Sequence, residues 1–464
     1  MKRLFTGGRV VSGSAVVAAD VLVDGEKIVS VAPHIDAPDA EVVDVTGKLL
    51  LPGFIDAHTH FDLDVCNTTT ADDFESGSRS ALRGGTTTVI DFACPNKGET
   101  LAYGLELWHK KAANCHCDYG FHMTIDDWNE GIEAELDDMF AAGITSFKMY
   151  MTYPAMMLPD GDLYRALKAL KARGGICGVH CENSGVIDAL VAEKKAKGEN
   201  AVSCHPQTRP DYLEAEAVGR ILRIAQAAEA PVVIVHTTNA AALSEIDQAR
   251  ARGQVVYSET CPQYLALDDS VYYQEDWLSS AKFVCSPPIR KKADQDALWA
   301  GLKEGRVNTV STDHCSFTTQ QKLAGQGDFT TIPGGLPGVE TRGEVVYTPG
   351  AGAESSTTGV AAGRIDLPTL CRALSENPAK LYGLYPRKGC IAPGADADIV
   401  VYDPAADHTL HAADMVSRCD YTPFEGFRTS GSIAAVYLRG MPAVENGVVR
   451  DVTGEYLKRG KCAL

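Results

Sequence analysis

The chain has 464 residues, of which 45% are hydrophobic and 22% charged, and 43 Lys and Arg set against 61 Asp and Glu give a formal net charge of −18. That length exceeds what one growing core accommodates, so two domains are expected, and the ordinary composition argues against extended disorder. The acidic balance argues against nucleic acid or an anionic membrane as the main partner, and no apolar run approaches the ~18 residues that span a bilayer.

The N-terminal stretch turns polar too early for a signal peptide, so a cytoplasmic protein is expected. Fourteen scattered cysteines are then expected to be reduced thiols. Val16 to Val23, Lys27 to Ala32 and Glu41 to Leu51 read as strands of a small sheet, punctuated by Gly, Asp and Pro. From residue 53 onward, β-type runs alternate with helix-like stretches, the pattern of βα units around a parallel sheet. Eight strand candidates end near His58, Phe92, Met123, Lys148, His180, His236, Ser258 and Thr312. Between the fourth and fifth, Leu163, Ala166, Leu167 and Leu170 recur at helical spacing and predict a helix over Asp162 to Arg173. Gly350 to Gly359 reads as a flexible surface loop without chemistry. Beyond about residue 385 the β texture returns, in Ala397 to Tyr402 and Ile433 to Leu438. The expected fold is therefore α/β: a (β/α)8 TIM-like barrel over residues 53–384, and a small β-sandwich domain built from residues 1–52 plus 385–464.

In such a barrel the active site forms at the C-terminal ends of the strands. His58 and His60 end the first strand candidate one residue apart, and i, i+2 side chains on a strand share a face, so two imidazoles aim at one point. An isolated His-x-His is more often structural, but Lys148, His180, His236 and Asp313 close four further strand candidates. Four histidines and an aspartate suit one or two borderline divalent ions, with zinc the default. Two ions need a bridging anion. No Glu or Cys ends the fourth strand, where Lys148 stands instead. Beside two cations its neutral amine is favoured, and a neutral amine adds carbon dioxide to give a carbamate whose oxygens could bridge. Cys115-His116-Cys117 looks like a miniature metal site, but its ligands are too crowded and no Cys-x-x-Cys follows, so a structural role is expected.

Longer motifs then carry a resemblance over essentially the whole chain. They are Asp56 to Phe61, Gly143 to Tyr153, Val179 to Asn183, Glu259 to Tyr264, Cys285 to Arg290, Thr312 to Cys315 and Gly335 to Glu340. The chain resembles the amidohydrolase superfamily, and within it the cyclic amidohydrolases, D-hydantoinase and dihydropyrimidinase, nearest to the bacterial D-phenylhydantoinase branch. The resemblance implies that His58, His60, carboxylated Lys148 and Asp313 bind one metal, and that the same carbamate, His180 and His236 bind the other. The ligand set keeps Zn(2+) as the expected metal, with Mn(2+) or another ion as the alternative, and the resemblance implies a homotetramer in which Tyr421 to Gly426 lie near subunit contacts. Tyr153 would donate to the developing oxyanion, and Ser286 would meet the ring amide largely through its main chain. A third main-chain contact belongs to an asparagine in Ile-Pro-Asn-Gly, whereas this chain reads Ile332-Pro333-Gly334-Gly335, so Gly334 would supply it with less rigidity.

The reaction so implied is hydrolysis of a cyclic amide to an N-carbamoyl amino acid by a hydroxide held between the metals, with Asp313 taking its proton and passing it to the ring nitrogen. His314, pointing to the opposite side of its strand, is expected to orient Asp313. Leu63, Val65, Met156 and Leu158 would form an apolar wall, with Asp62 and Asp64 beside them, favouring 5-substituted hydantoins. Dihydrouracil and allantoin are the alternatives; dihydroorotate would call for an arginine, which these segments lack. The superfamily also holds non-catalytic tetrameric scaffolds, which lack the ligands, and single-metal deaminases, which lack the bridging lysine. The presence of all six ligand positions argues against the first, and Lys148 against the second.

Overall fold

The computed structural model describes residues 1–348 and 359–464; most of the loop read at Gly350 to Gly359 lies outside them. Eight strands form one all-parallel sheet: β1 (Phe54–Thr59), β2 (Thr86–Ala93), β3 (Asp118–Thr124), β4 (Ser146–Tyr150), β5 (Ile176–His180), β6 (Val232–Ile234), β7 (Val256–Thr260) and β8 (Thr309–Val310). Each pairs with its neighbours in sequence. A parallel bridge between Thr59 and His314 closes the ring, with the His60 amide donating to the His314 carbonyl at 2.8 Å. Closure therefore brings the His-x-His end of β1 beside Asp313. The strands are buried nearly throughout, as expected of a sheet covered on both faces. A helix at Asp160–Arg173 follows β4, ending at Gly174, whose left-handed φ of 76° terminates it.

Two further sheets lie outside the barrel. One orders the strands 27–32, 20–24, 2–6 and 41–44; the other orders 448–449, 441–445, 432–438, 399–403, 49–52, 9–11 and 16–18. Two runs that read as single strands are thus each broken. Val16–Ala18 and Asp20–Asp24 enter different sheets, as do Glu41–Asp44 and Leu49–Pro52, the second break made at Gly47 with φ 79°. A separate apolar core containing Phe5, Val21, Ile28, Leu50, Ile399 and Tyr437 draws on strands of both sheets.

The barrel is tied to this region by buried charge. Lys388 Nζ donates to Asp118 at the start of β3 (2.5 Å) and to Asp398 (2.7 Å). Removing one member would strand a buried charge, at a cost of about 3–5 kcal/mol. The last residues leave the two sheets: Tyr456 bridges Tyr119 of β3, and Arg459 donates to Ser146 of β4 at 2.6 Å. Tyr421 and Phe424, expected near subunit contacts, are buried against their own chain, so that segment turns only residues such as Glu425 outward. No helix among the described residues is long and apolar enough to cross a membrane.

Candidate active site

The ends of β1, β4 and β5 and the turns after β6 and β8 converge at one mouth of the barrel. His58 Nε2 and His60 Nε2 each lie 3.1 Å from Asp313 Oδ1. The donor atoms of His58, His236 and Asp313 all fall within 4.8 Å of one another. Lys148 Nζ sits 3.5 Å from His58 Nε2, and the rings of His180 and His236 are 4.6 Å apart. Phe92, from β2, supplies the apolar wall: its ring meets His58, His60 and the Lys148 amine at 4.6, 5.0 and 4.8 Å.

Burial and the charges within the cluster together set the protonation states. Burial pushes the Lys148 amine down, only partly opposed by Asp313 and Glu259, and the lysine has no carboxylate partner in an ion pair among the described residues. It pushes His60 down to about 4, and His180 and His236 below the ordinary imidazole range. Burial would raise the Asp313 carboxyl, but His58 and His60 outweigh it and hold Asp313 well below the usual carboxylate range. Three imidazoles, those of His60, His180 and His236, are thus biased toward the neutral form beside a carboxylate and an amine biased the same way, the protonation pattern a cation site needs, whereas Asp313 and Glu259 outweigh burial at His58 and raise it. His60 Nδ1 and His236 Nδ1 are buried without a hydrogen-bond partner, and His236 and Asp313 hold left-handed φ values of 37° and 53°. Orphaned polar atoms and non-glycine residues in that region are features that functional sites tolerate.

A ring of supporting carboxylates surrounds the cluster. Glu259, at the end of β7, accepts from His58 Nδ1 at 2.7 Å and leaves its other oxygen unpartnered. Glu182 accepts from His180 Nε2 at 2.7 Å and from Arg209 at 2.6 Å. Asp56 accepts from the Thr312 amide and hydroxyl at 3.1 and 2.7 Å. Glu259 follows the strand-end rule that exposed the histidines and was legible by it; Arg209 sits between two helices in a long connection and carried no such signal. His314 does not engage the Asp313 side chain: its Nε2 meets Asp72 at 3.1 Å and its Nδ1 accepts the Gly338 and Val339 amides. Cys115 and Cys117 are buried free thiols, and His116 hydrogen-bonds the Val452 carbonyl at 2.7 Å.

Tyr153 also adopts a left-handed φ, 67°, and its ring lies 5.3 Å from that of His180. Burial raises its phenol well above the ordinary value, against the pull of Arg209 and the Ser286 side chain, so it is a hydrogen-bond donor at neutral pH. The Arg209 guanidinium stands 5.6 Å over that ring. An arginine is therefore near the pocket, but committed to Glu182. A side chain grown on Gly334 would meet Ser286 Oγ at 4.0 Å and nothing nearer, so these two segments are neighbours. Asp62 and Asp64 turn toward Lys111, at 3.9 and 3.6 Å, while Leu158 is buried and Leu63, Val65 and Met156 are partly buried.

A profile of the amidohydrolase family matches residues 49–443. The chain is 41% identical to a D-hydantoinase of Streptomyces coelicolor, covering 99% of this chain and 98% of that protein. It is 39% identical to a D-phenylhydantoinase of Escherichia coli O1:K1, with 99% and 98% covered. The crystal structure of a dihydropyrimidinase from Brevibacillus agri superposes with a TM-score of 0.96 at 40% identity, covering all of both chains.

Proposed function

The chain belongs to the amidohydrolase family, and from that premise we propose that it opens the ring of 5-substituted hydantoins, giving N-carbamoyl amino acids. It is a hydrolase of cyclic amides, as its full-length relatives indicate. The observation that carries the metal-dependent ring opening is the meeting of His58, His236 and Asp313 donor atoms within 4.8 Å, beside a buried lysine with no carboxylate ion-pair partner among the described residues.

In this reading His58, His60, Lys148 and Asp313 would hold one divalent ion and Lys148, His180 and His236 would hold a second, zinc being the expected metal for nitrogen and oxygen donors. Lys148 takes part as its carbamate, formed when the neutral amine adds carbon dioxide and releases a proton. Bound ions supply Lewis acidity, lowering the pKa of water and polarising the ring carbonyl. Glu259 and Glu182 orient His58 and His180 through the ring nitrogens they occupy. The Tyr153 phenol donates to the oxygen on which negative charge develops, where a fixed donor contributes most. Asp313, ionised at rest, accepts the proton of the attacking water and delivers it to the departing ring nitrogen. Ser286 and Gly334 hold the ring amide through their main chains. The homotetramer is likewise proposed, on likeness to the family. So is the division into a barrel domain, residues 53–384, and a sandwich domain, residues 1–52 and 385–464, which the core common to the two outer sheets supports.

A six-membered dihydropyrimidine ring is the second reading, favoured by the likeness to the Brevibacillus agri dihydropyrimidinase. Steady-state ring opening separates the two. Zinc- or manganese-loaded enzyme is assayed with D- and L-5-phenylhydantoin, dihydrouracil, allantoin and dihydroorotate. The highest kcat/KM is expected for D-phenylhydantoin; a preference for dihydrouracil selects the second reading, and turnover of none removes both.

A further inference from the structure

Lys322 lies in a short helix, Thr319–Leu323, that opens with a capping box made by Thr318 and Gln321. Its side chain is fully buried. Its Nζ donates to three main-chain carbonyls: Val284 at 2.9 Å, Pro333 at 2.6 Å and Gly335 at 2.9 Å. An ammonium has three donor hydrogens, and all three are used here on backbone oxygens. Two of those oxygens belong to the residues on either side of Gly334, and the third lies two residues before Ser286. The Gly335 amide adds a bond of its own to the Val284 carbonyl, at 3.0 Å.

We propose that Lys322 is a positioning residue that locks together the two main-chain segments on which the cyclic amide is bound, and that it supplies the rigidity Gly334 lacks. The inference rests on the assignment of Ser286 and Gly334 as amide contacts. Two consecutive glycines lose more conformational freedom on ordering than any other pair. Nothing anchors Gly334 from its own side, since it has no side chain and the space above it is open for 4.0 Å. A cation bonded to both flanking carbonyls limits that freedom without needing a side chain at position 334. Neighbouring groups fix the other segment in the same way: His205 Nε2 donates to the Cys285 carbonyl at 2.8 Å, and the Tyr264 hydroxyl to the Pro287 carbonyl at 2.8 Å. Lys322 alone among these three bridges the two segments.

The test compares metal-loaded wild type with Lys322→Met, and with both in a Gly334→Ala background, on whichever ring the wild type opens best. Lys322→Met is expected to raise KM about tenfold while kcat stays within about threefold and metal content is unchanged. Because alanine stiffens the backbone at a position open to a Cβ, the KM penalty of Lys322→Met should shrink by about threefold in the Gly334→Ala background. Amide hydrogen exchange supplies a readout independent of turnover: peptides covering 332–336 should exchange faster in Lys322→Met, with the β1 and β2 peptides unchanged. Unchanged exchange at 332–336 overturns the proposal, as does a KM penalty that is absent or equal in both backgrounds. Should Lys322→Met not fold, Lys322→Gln, whose amide keeps two donors, must show the same pattern in weaker form. A wild type that opens none of the rings would sink the functional reading, while the exchange measurement would still decide the role of Lys322 as a lock.

Discussion

The two halves of the candidate site are built on opposite principles. On the strand-end half, side chains do the work: His58, His60, Lys148, His180 and Asp313 stand at or just past the ends of barrel strands, and their spread is fixed by sheet registration, such as Lys148 paired with Gly178 and Tyr150 with His180. On the loop half, Ser286 and Gly334 would contribute main chain, as proposed, and the buried side chains of Lys322, His205 and Tyr264 hold main-chain carbonyls of those two segments. The first half obtains precision from the sheet. The second has no sheet, and obtains it from buried donors.

If that contrast is right, damage to the strand-end half should destroy chemistry, and damage to the loop half should loosen binding. Lys148→Ala should lose metal and lower kcat by about four orders of magnitude or more, with partial return on adding a short-chain carboxylic acid that stands in for the carbamate. Metal analysis beside kcat checks it, and full activity in that variant would remove the bridging role. At the boundary between the halves, Tyr153→Phe should cost about 10²–10³ in kcat with metal content unchanged, as for loss of one oxyanion donor. Glu259→Gln should weaken metal retention by about 10–100-fold, measured by competition with a chromophoric chelator, because it disturbs the partner of His58 Nδ1 without touching a ligand.

The smallest expected effect lies wholly in the loop half. Burial, with Arg209 adding to it, pushes the His205 imidazole down to about 3. The unfolded chain therefore takes up this proton first, near its ordinary value of about 6.5. Stability from this group is complete above that pH and falls as pH drops toward about 3, at no more than roughly 1.4 kcal/mol per pH unit. His205→Gln keeps a donor for the Cys285 carbonyl and removes the titration, so its melting temperature should depend less steeply on pH between about 3.5 and 6.5. An identical slope in wild type and variant would show that His205 is not held neutral in the fold.

Both the barrel and the side chains that cluster at its mouth could be read from the chain because they obey short-range rules. Apolar β-branched runs recur at βα spacing, and an ionisable residue ending such a run is conspicuous against it; Glu259 obeys the same rule and could have been added by it. The two broken N-terminal strands could not be read, since a run such as Glu41 to Leu51 carries no mark of which half pairs with which sheet. Nor could His314 be assigned: alternation along a strand sets the side it faces, but Asp72, 242 residues earlier, is its partner.

The sequence by itself determined the parallel barrel, the residue types that gather at its mouth and the strands from which they emerge, because strand periodicity and residue chemistry are local properties. Tertiary structure alone decided which carboxylate orients which imidazole, that Arg209 is spent on Glu182, and that Lys322 ties Val284 to Pro333 and Gly335. Those choices depend on chain crossings between distant segments, and burial there turns an ordinary lysine or histidine into a fixed donor whose partners no local pattern announces.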